Sequence, residues 1–258
     1  MNNKWLYAAI LASVPTFASA NDLVQWSDTS VTGLYGDNYK VDAEKQQTVT
    51  FESAGAFTYG DWFAFGDVIH FDNTDKYTYY AEVSPRFSIN KIFDVNTTFG
   101  PIKDVSFATT LEQGRGAGTN FLYGVGLDLD IPFFSYFQLN TYKRTSVADA
   151  HVGQNNTDGW QLTPSYRIDI PVGNSNIVVD GYIDWVFASD DSAKYSTNFH
   201  FNPQIKYDLG QVIFNSKAKN KFLVGVEYDY WKNKYGIESS SGFKTNQNTF
   251  SIIAKYHF

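Results

Sequence analysis

Acids, bases and tyrosines recur at alternate positions through this chain, and that spacing sets the chemistry they could do. Glu52, Tyr80, Glu82, Arg86, Glu112, Asp128, Tyr142, Arg144, Arg167, Asp180, Tyr182, Asp184, Lys206, Glu227, Asp229 and Lys255 all fall on the more polar of two alternating rows. Residues two apart on a strand project to one face, about 7 Å apart at a rise of about 3.3 Å per residue. Such a row can neutralise itself by pairing, or it can meet a solute with acceptors, donors and ring faces together. Tyr142 and Tyr182 are the informative members. A tyrosine among acids and arginines in a wet interior has less reason to be aromatic than one on an apolar surface, and Tyr182 stands between Asp180 and Asp184.

The same inventory argues against catalysis. The histidines are His70, His151, His200 and His257, and none stands in a His-x-Ser pattern. His200 shares its row with Asn198 and Asn202, which offer no nucleophile, and His151 falls in a polar loop. Cysteine is absent, which removes thiol chemistry and disulfide staples. No two histidines stand at i, i+2, and the acid pairs Asp128/Asp130 and Asp180/Asp184 read as solvated groups. Neither an enzyme, nor a metal centre, nor a cofactor is expected.

Strands must position these rows, and the last one shows how. From Thr249 to Phe258, Phe250, Ile252, Ala254, Tyr256 and Phe258 alternate with Thr249, Ser251, Ile253, Lys255 and His257, a period of two. An open edge of this kind would expose unpaired backbone and an apolar face to aggregation, whereas a barrel closed within a bilayer has no edge. Eleven further segments fit: Thr29–Asn38, Thr48–Thr58, Trp62–Phe71, Tyr77–Phe87, Val105–Glu112, Asn120–Asp130, Phe134–Arg144, Trp160–Ile170, Ile177–Phe187, Asn198–Asp208 and Phe222–Trp231. Each has roughly the 9–11 residues a tilted strand needs to cross. The fold class expected is therefore all-β, a transmembrane antiparallel barrel of twelve strands in one domain, residues 21–258. In Trp62–Phe71 the facing is ambiguous, since either Asp67 or His70 falls on the apolar row. Pro85, Pro164 and Pro203 lie on apolar rows inside strands, where bulges are expected to absorb the missing ladder bonds.

Export is consistent with this architecture. Lys4, an apolar run from Trp5 to Val14 and Ala18-Ser19-Ala20 have the form of a cleaved signal peptide over residues 1–20. The mature chain then carries a net charge of −8, against −7 for the full chain, and an acidic balance argues against a polyanion-binding surface, though a negative total still has room for a basic strip inside a channel. Nucleic acid is not an expected partner. Aromatic content is 18% and no later stretch approaches the 18 or so apolar residues of a membrane helix. Connections alternate in length, as bacterial barrels require. Three of the inner ones, Tyr59-Gly60-Asp61, Ile131–Phe133 and Pro171–Asn176, are tight, while Ser88–Asp104 and Leu209–Lys221 are longer than the rule asks.

Two segments, Glu82-Val-Ser-Pro-Arg-Phe-Ser-Ile-Asn-Lys91 and Phe99-Gly-Pro-Ile-Lys-Asp104, with Asp61-Trp-Phe-Ala-Phe65 before them, make the chain similar to a known family. They resemble the nucleoside-specific channel-forming outer-membrane proteins, together with the related OmpK-type phage receptors of marine bacteria. That resemblance implies a monomeric twelve-stranded channel that passively admits nucleosides through a pore lined by aromatic and ionisable side chains. The substrate-binding candidates are the sixteen residues above without Glu112, Asp128, Lys206 and Lys255. Expected partners are outer-membrane lipid and lipopolysaccharide, the barrel-assembly machinery acting on the strand that ends at Phe258, nucleosides, and phage at the outer loops. Residues 145–221 match the family in pattern only. The alternative is a structural or phage-receptor barrel without a conducting pore.

Overall fold

Alternation of apolar and polar side chains does produce strands along the whole chain, and each strand pairs antiparallel with its sequence neighbours. The computed structural model describes residues 23–115, 118–148, 156–190, 195–214 and 216–258. The expected leader and His151 lie outside them. Among the described residues there are twelve strands: β1 (Val24–Gly36), β2 (Gln46–Phe57), β3 (Gly60–Phe71), β4 (Lys76–Ser88), β5 (Ile102–Gly114), β6 (Gly118–Leu129), β7 (Tyr136–Ala148), β8 (Gly159–Val172), β9 (Ser175–Ser189), β10 (Asn198–Asp208), β11 (Phe222–Lys232) and β12 (Gln247–His257). They close in order, with β1 paired to β12 from Ser30↔His257 to Gly36↔Ser251. The Phe258 N–H adds one more bond across that seam, to the Thr29 carbonyl at 3.0 Å.

Facing is inverted relative to a water-soluble sheet. On β12, Phe250 is 64% exposed while its neighbour Thr249 is 1% exposed, and the pattern repeats down the strand. Polar side chains are inside and apolar ones outside, the arrangement of a barrel whose solvent is lipid. No described helix is long and apolar enough to cross a membrane. In β3 the ambiguity resolves in favour of Asp67, which turns inward and accepts from Thr50 Oγ1 at 2.6 Å. His70 turns outward, within 3.3 Å of Asp72 and 3.1 Å of Asp75.

The prolines are handled without bulges, contrary to expectation. Beside Pro85, Pro164 and Pro203 the ladder to one neighbouring strand lapses for two residues and resumes in the same register. On the other side each proline remains paired, with Trp62, Leu139 and Gly181. A proline lacks only its own backbone N–H and so has one ladder bond to lose, and a local gap on one side is enough. Register shifts fall instead near strand ends, at Val24/Trp26, Ile102/Asp104, Thr119/Asn120 and Trp160/Gln161.

β1 starts and β12 ends at the same mouth, here called the terminal end; the other is the distal end. The two long terminal-end connections contain single-turn helices that the alternation does not reveal, α1 (Ile89–Phe93) and α2 (Leu209–Ile213). Ser88 and Asp208 start them, accepting from the N–H groups of Lys91 and Gln211 at 3.0 and 3.1 Å.

Candidate functional site

All twelve candidate residues project from the inner row of their strands. They do not form one site, because burial and pairing divide them.

One group is built into the wall. Arg144 holds both oxygens of Glu112 through its two terminal nitrogens at 2.8 Å each and donates to Gln161 Oε1 at 2.6 Å. Asn120 Nδ2 adds a third bond to Glu112 at 3.1 Å, and Thr157 holds Asn120 at 2.6 Å. Arg86 is buried between Asp128 at 2.9 Å and Asp61 at 3.5 Å. Gly126 makes room for it, since a Cβ there would stand 3.1 Å from Arg86 Nε. Tyr142 is 3% exposed and packs with Ala108 and Leu122, so its ring offers no free face. Lys206 pairs with Asp180 at 2.6 Å, Lys255 with Glu52 at 2.6 Å, and Arg167 with Asp169 at 2.7 Å. Glu227 is buried and accepts from Gln204 at 2.8 Å.

The second group is rich in rings, with Tyr80, Glu82, Tyr182 and Asp184 half-buried and His200 and Asp229 buried. Tyr80 and Glu82 stand together on β4, with the Tyr80 hydroxyl donating to Glu82 Oε1 at 2.7 Å. Phe65 of β3 lies 5.9 Å from the Tyr80 ring and 5.9 Å from Phe63, which is 42% exposed although it is on the inner row. On β9, Asp184 Oδ1 accepts from Gln161 Nε2 at 2.8 Å and Thr163 Oγ1 at 2.7 Å. Tyr182, two residues before it, meets His200 edge to face at 5.2 Å. His200 is stacked on Trp231 at 3.8 Å and 13°, and bonds Asp229 at 3.0 Å. In a closed ring of twelve, β3–β4 and β9–β10 are six strands apart, on opposite walls. Glu82 lies within electrostatic range of Asp184, and Tyr182 within range of Glu82. Two ledges of rings and carboxylates therefore face each other across the lumen.

Phe63, Phe65, His200 and Trp231 were missed as lining residues. Phe63 and Phe65 share a row with Asp61 and Asp67, and Trp231 shares one with Glu227 and Asp229; that acidic company is the signal. The row rule assigns any ring to lipid unless its neighbours two residues away are weighed first.

Distal loops close in above these ledges. Lys234 is buried, its ammonium over the rings of Tyr39 at 5.4 Å and Tyr235 at 4.9 Å, and it donates to Gln247 Oε1 at 2.7 Å. Burial holds its pKa below the ordinary lysine range, opposed by the charges of Asp229 and Asp42. Tyr235 reaches Asp42 at 3.0 Å. Gly236 has φ of +67°, and a Cβ there would strike the ring of Tyr195, so that position needs glycine on both counts.

Residues 21–258 match the family described as nucleoside-specific channel-forming protein, Tsx. The chain belongs to that family. Among relatives, the outer membrane protein OmpK of Vibrio parahaemolyticus is 26% identical over 195 residues, covering 72% of this chain and 67% of the relative. The nucleoside-specific channel-forming protein Tsx of Escherichia coli O157:H7 is 22% identical over 253 residues, covering 86% and 81%. A solved NanC porin shares the fold at a TM-score of 0.53 and 10% identity, over 88% of this chain and 98% of the porin. The protein is an outer-membrane channel barrel, and the family is of channels rather than enzymes.

Proposed function

We propose that the channel passes nucleosides by passive, saturable permeation, the base stacking on the rings of the two ledges while Glu82 and Asp184 accept from ribose hydroxyls. What carries this reading is the pair of opposed ledges, Phe65–Tyr80–Glu82 and Tyr182–Asp184–His200. A nucleoside is neutral, with a planar base and adjacent hydroxyls, and a selective pore must bind it weakly enough to release it. Stacking suits that need because every base has a π-face. Family membership and the name of the Escherichia coli relative support the same solute. Liposomes carrying the purified monomer should swell with adenosine at a rate that saturates. Equal, non-saturating passage of adenosine and a disaccharide would mark a general pore instead.

Two partner roles belong to the same reading. Assembly into the membrane runs through β12, whose terminal Phe258 is exposed beside Tyr256, so deleting Phe258 should lower outer-membrane levels. Phage attachment falls to the distal loops, which are tied together by Ser196 N–H to the Gly236 carbonyl at 2.8 Å and Asn233 Nδ2 to the Thr197 carbonyl at 3.1 Å.

A further inference from the structure

The long terminal-end connections are built structures with an unusual outer surface. Residues 89–101 link β4 to β5 and residues 209–221 link β10 to β11, junctions that lie six strands apart and so on opposite sides of the mouth. Their polar groups are used internally. Asn90 Oδ1 accepts from the Thr97 N–H at 2.9 Å and Asn90 Nδ2 donates to the Lys103 carbonyl at 3.2 Å. The Asp208 carboxylate takes the N–H groups of Gln211 at 3.1 Å and Asn220 at 2.7 Å. What remains on the outside is apolar: Phe93 is 65% exposed, Phe99 79% and Phe214 61%, with Ile213 exposed beside Phe214. Lys91 and Lys219 are exposed among them, while Lys103, also exposed, is paired with Asp130 at 3.2 Å. The distal connections differ, since among their described residues the only large apolar side chains exposed are Tyr235 and Phe243.

We propose that the two helical turns are interfacial anchors, seated in the phospholipid leaflet on the terminal side, with Phe93 and Phe214 at the acyl boundary and the lysines on anionic headgroups. Continuity argues for lipid as the occupant. α1 follows β4, whose outer row exposes Val83, and α2 follows β10, whose outer row exposes Ile205, so each apolar turn extends a surface that already faces hydrocarbon. Charge argues the same way, because basic residues near a membrane surface are drawn to anionic lipid. Their opposed placement gives the anchors a use. Two contacts across a diameter resist tilting of the barrel axis, where one would act as a pivot.

The absence of cysteine makes the test direct. Nitroxide labels are placed singly at Phe93→Cys and Phe214→Cys, with Phe243→Cys as the distal comparison, in nanodiscs of phosphatidylglycerol or phosphatidylcholine. Collision with oxygen against a water-soluble nickel reagent then gives depth. In phosphatidylglycerol the first two labels should sit about 5–10 Å into the headgroup and acyl boundary, and the third should be aqueous. Adding Lys91→Gln and Lys219→Gln should move the first two towards water in that lipid. Labels at 93 and 214 as open to nickel as the one at 243 would overturn the proposal. Shielding from both reagents would overturn it too, since that marks contact with protein. A lysine pair whose loss leaves depth unchanged in phosphatidylglycerol would remove the anionic headgroup from it. Ile213→Cys repeats the α2 measurement should the Phe214 variant assemble poorly.

Discussion

Two regions of the same inner surface treat their charges differently. From β5 to β8, Glu112, Asn120, Arg144 and Gln161 bond one another and are buried, with only Arg144 Nε of the guanidinium left without a partner. On the ledges of β3–β4 and β9–β10, Glu82 receives a tyrosine hydroxyl and Asp184 receives an amide and a hydroxyl, and among the described residues no cation bonds to either. The first arrangement removes charge from service. A guanidinium that satisfies both oxygens of a carboxylate leaves nothing for a solute, while a carboxyl group held by neutral donors on one oxygen leaves the other as an acceptor. Facing inward is thus necessary for lining a pore and does not by itself select the residues that meet the solute.

The sharpest way to break this distinction is to remove one partner from the wall. Glu112→Ala strands Arg144 without its carboxylate and should destabilise the barrel by about 3–5 kcal/mol, the loss typical of an uncompensated buried charge. The check is a lower temperature for the heat-induced gel shift. Arg86→Ala belongs in the same class. As a lining charge alone it would alter conductance and leave assembly intact, but its burial between Asp61 and Asp128 predicts a stability loss as well. An unchanged transition in both variants would show that the wall pairs contribute nothing.

A smaller effect is expected from the outer row. Val125 is exposed to lipid on β6, one residue from the inward Gly124 and Gly126. Val125→Arg should lower stability by roughly 2–4 kcal/mol near the midplane, read from urea unfolding in detergent-free bilayers, with nucleoside flux per folded channel unchanged.

Much of the fold was legible because alternation carries it. The twelve strands, their order and the inward facing of Asp180, Tyr182 and Asp184 follow from period two, and closure follows from the absence of an acceptable edge. α1 and α2 were not legible. Five residues hold too little periodicity to register, and the helices depend on caps from Ser88 and Asp208, which look like ordinary strand ends. In the site, the row rule found residues but could not rank them. Whether Tyr142 presents a ring or buries it depends on Ala108 and Leu122 on two neighbouring strands, and pairing register is not written within any one strand. Phe63 and Phe65 escaped because hydrophobicity was a stronger cue than company.

Among the ledge residues, Tyr182 should matter more than Asp184. Tyr182→Ala removes a stacking face worth about 1–3 kcal/mol per base and should weaken saturation by ribonucleosides and deoxyribonucleosides alike.

Asp184→Asn is the finest test, because it alters one atom on one ledge. Gln161 and Thr163 both donate to Oδ1, so the amide can keep its oxygen there and place NH₂ where Oδ2 was. The wall is preserved while an acceptor becomes a donor. A ribose offering a 2′-hydroxyl proton to Oδ2 loses that bond, a cost of roughly 0.5–1.5 kcal/mol, whereas a deoxyribose has no such proton to lose. Half-saturation for adenosine should therefore rise several-fold and that for deoxyadenosine should hold. Equal impairment of the two sugars would mean that Asp184 acts through the wall, as Arg144 and Glu112 do, and the line drawn between ledge and wall would have to move to exclude it.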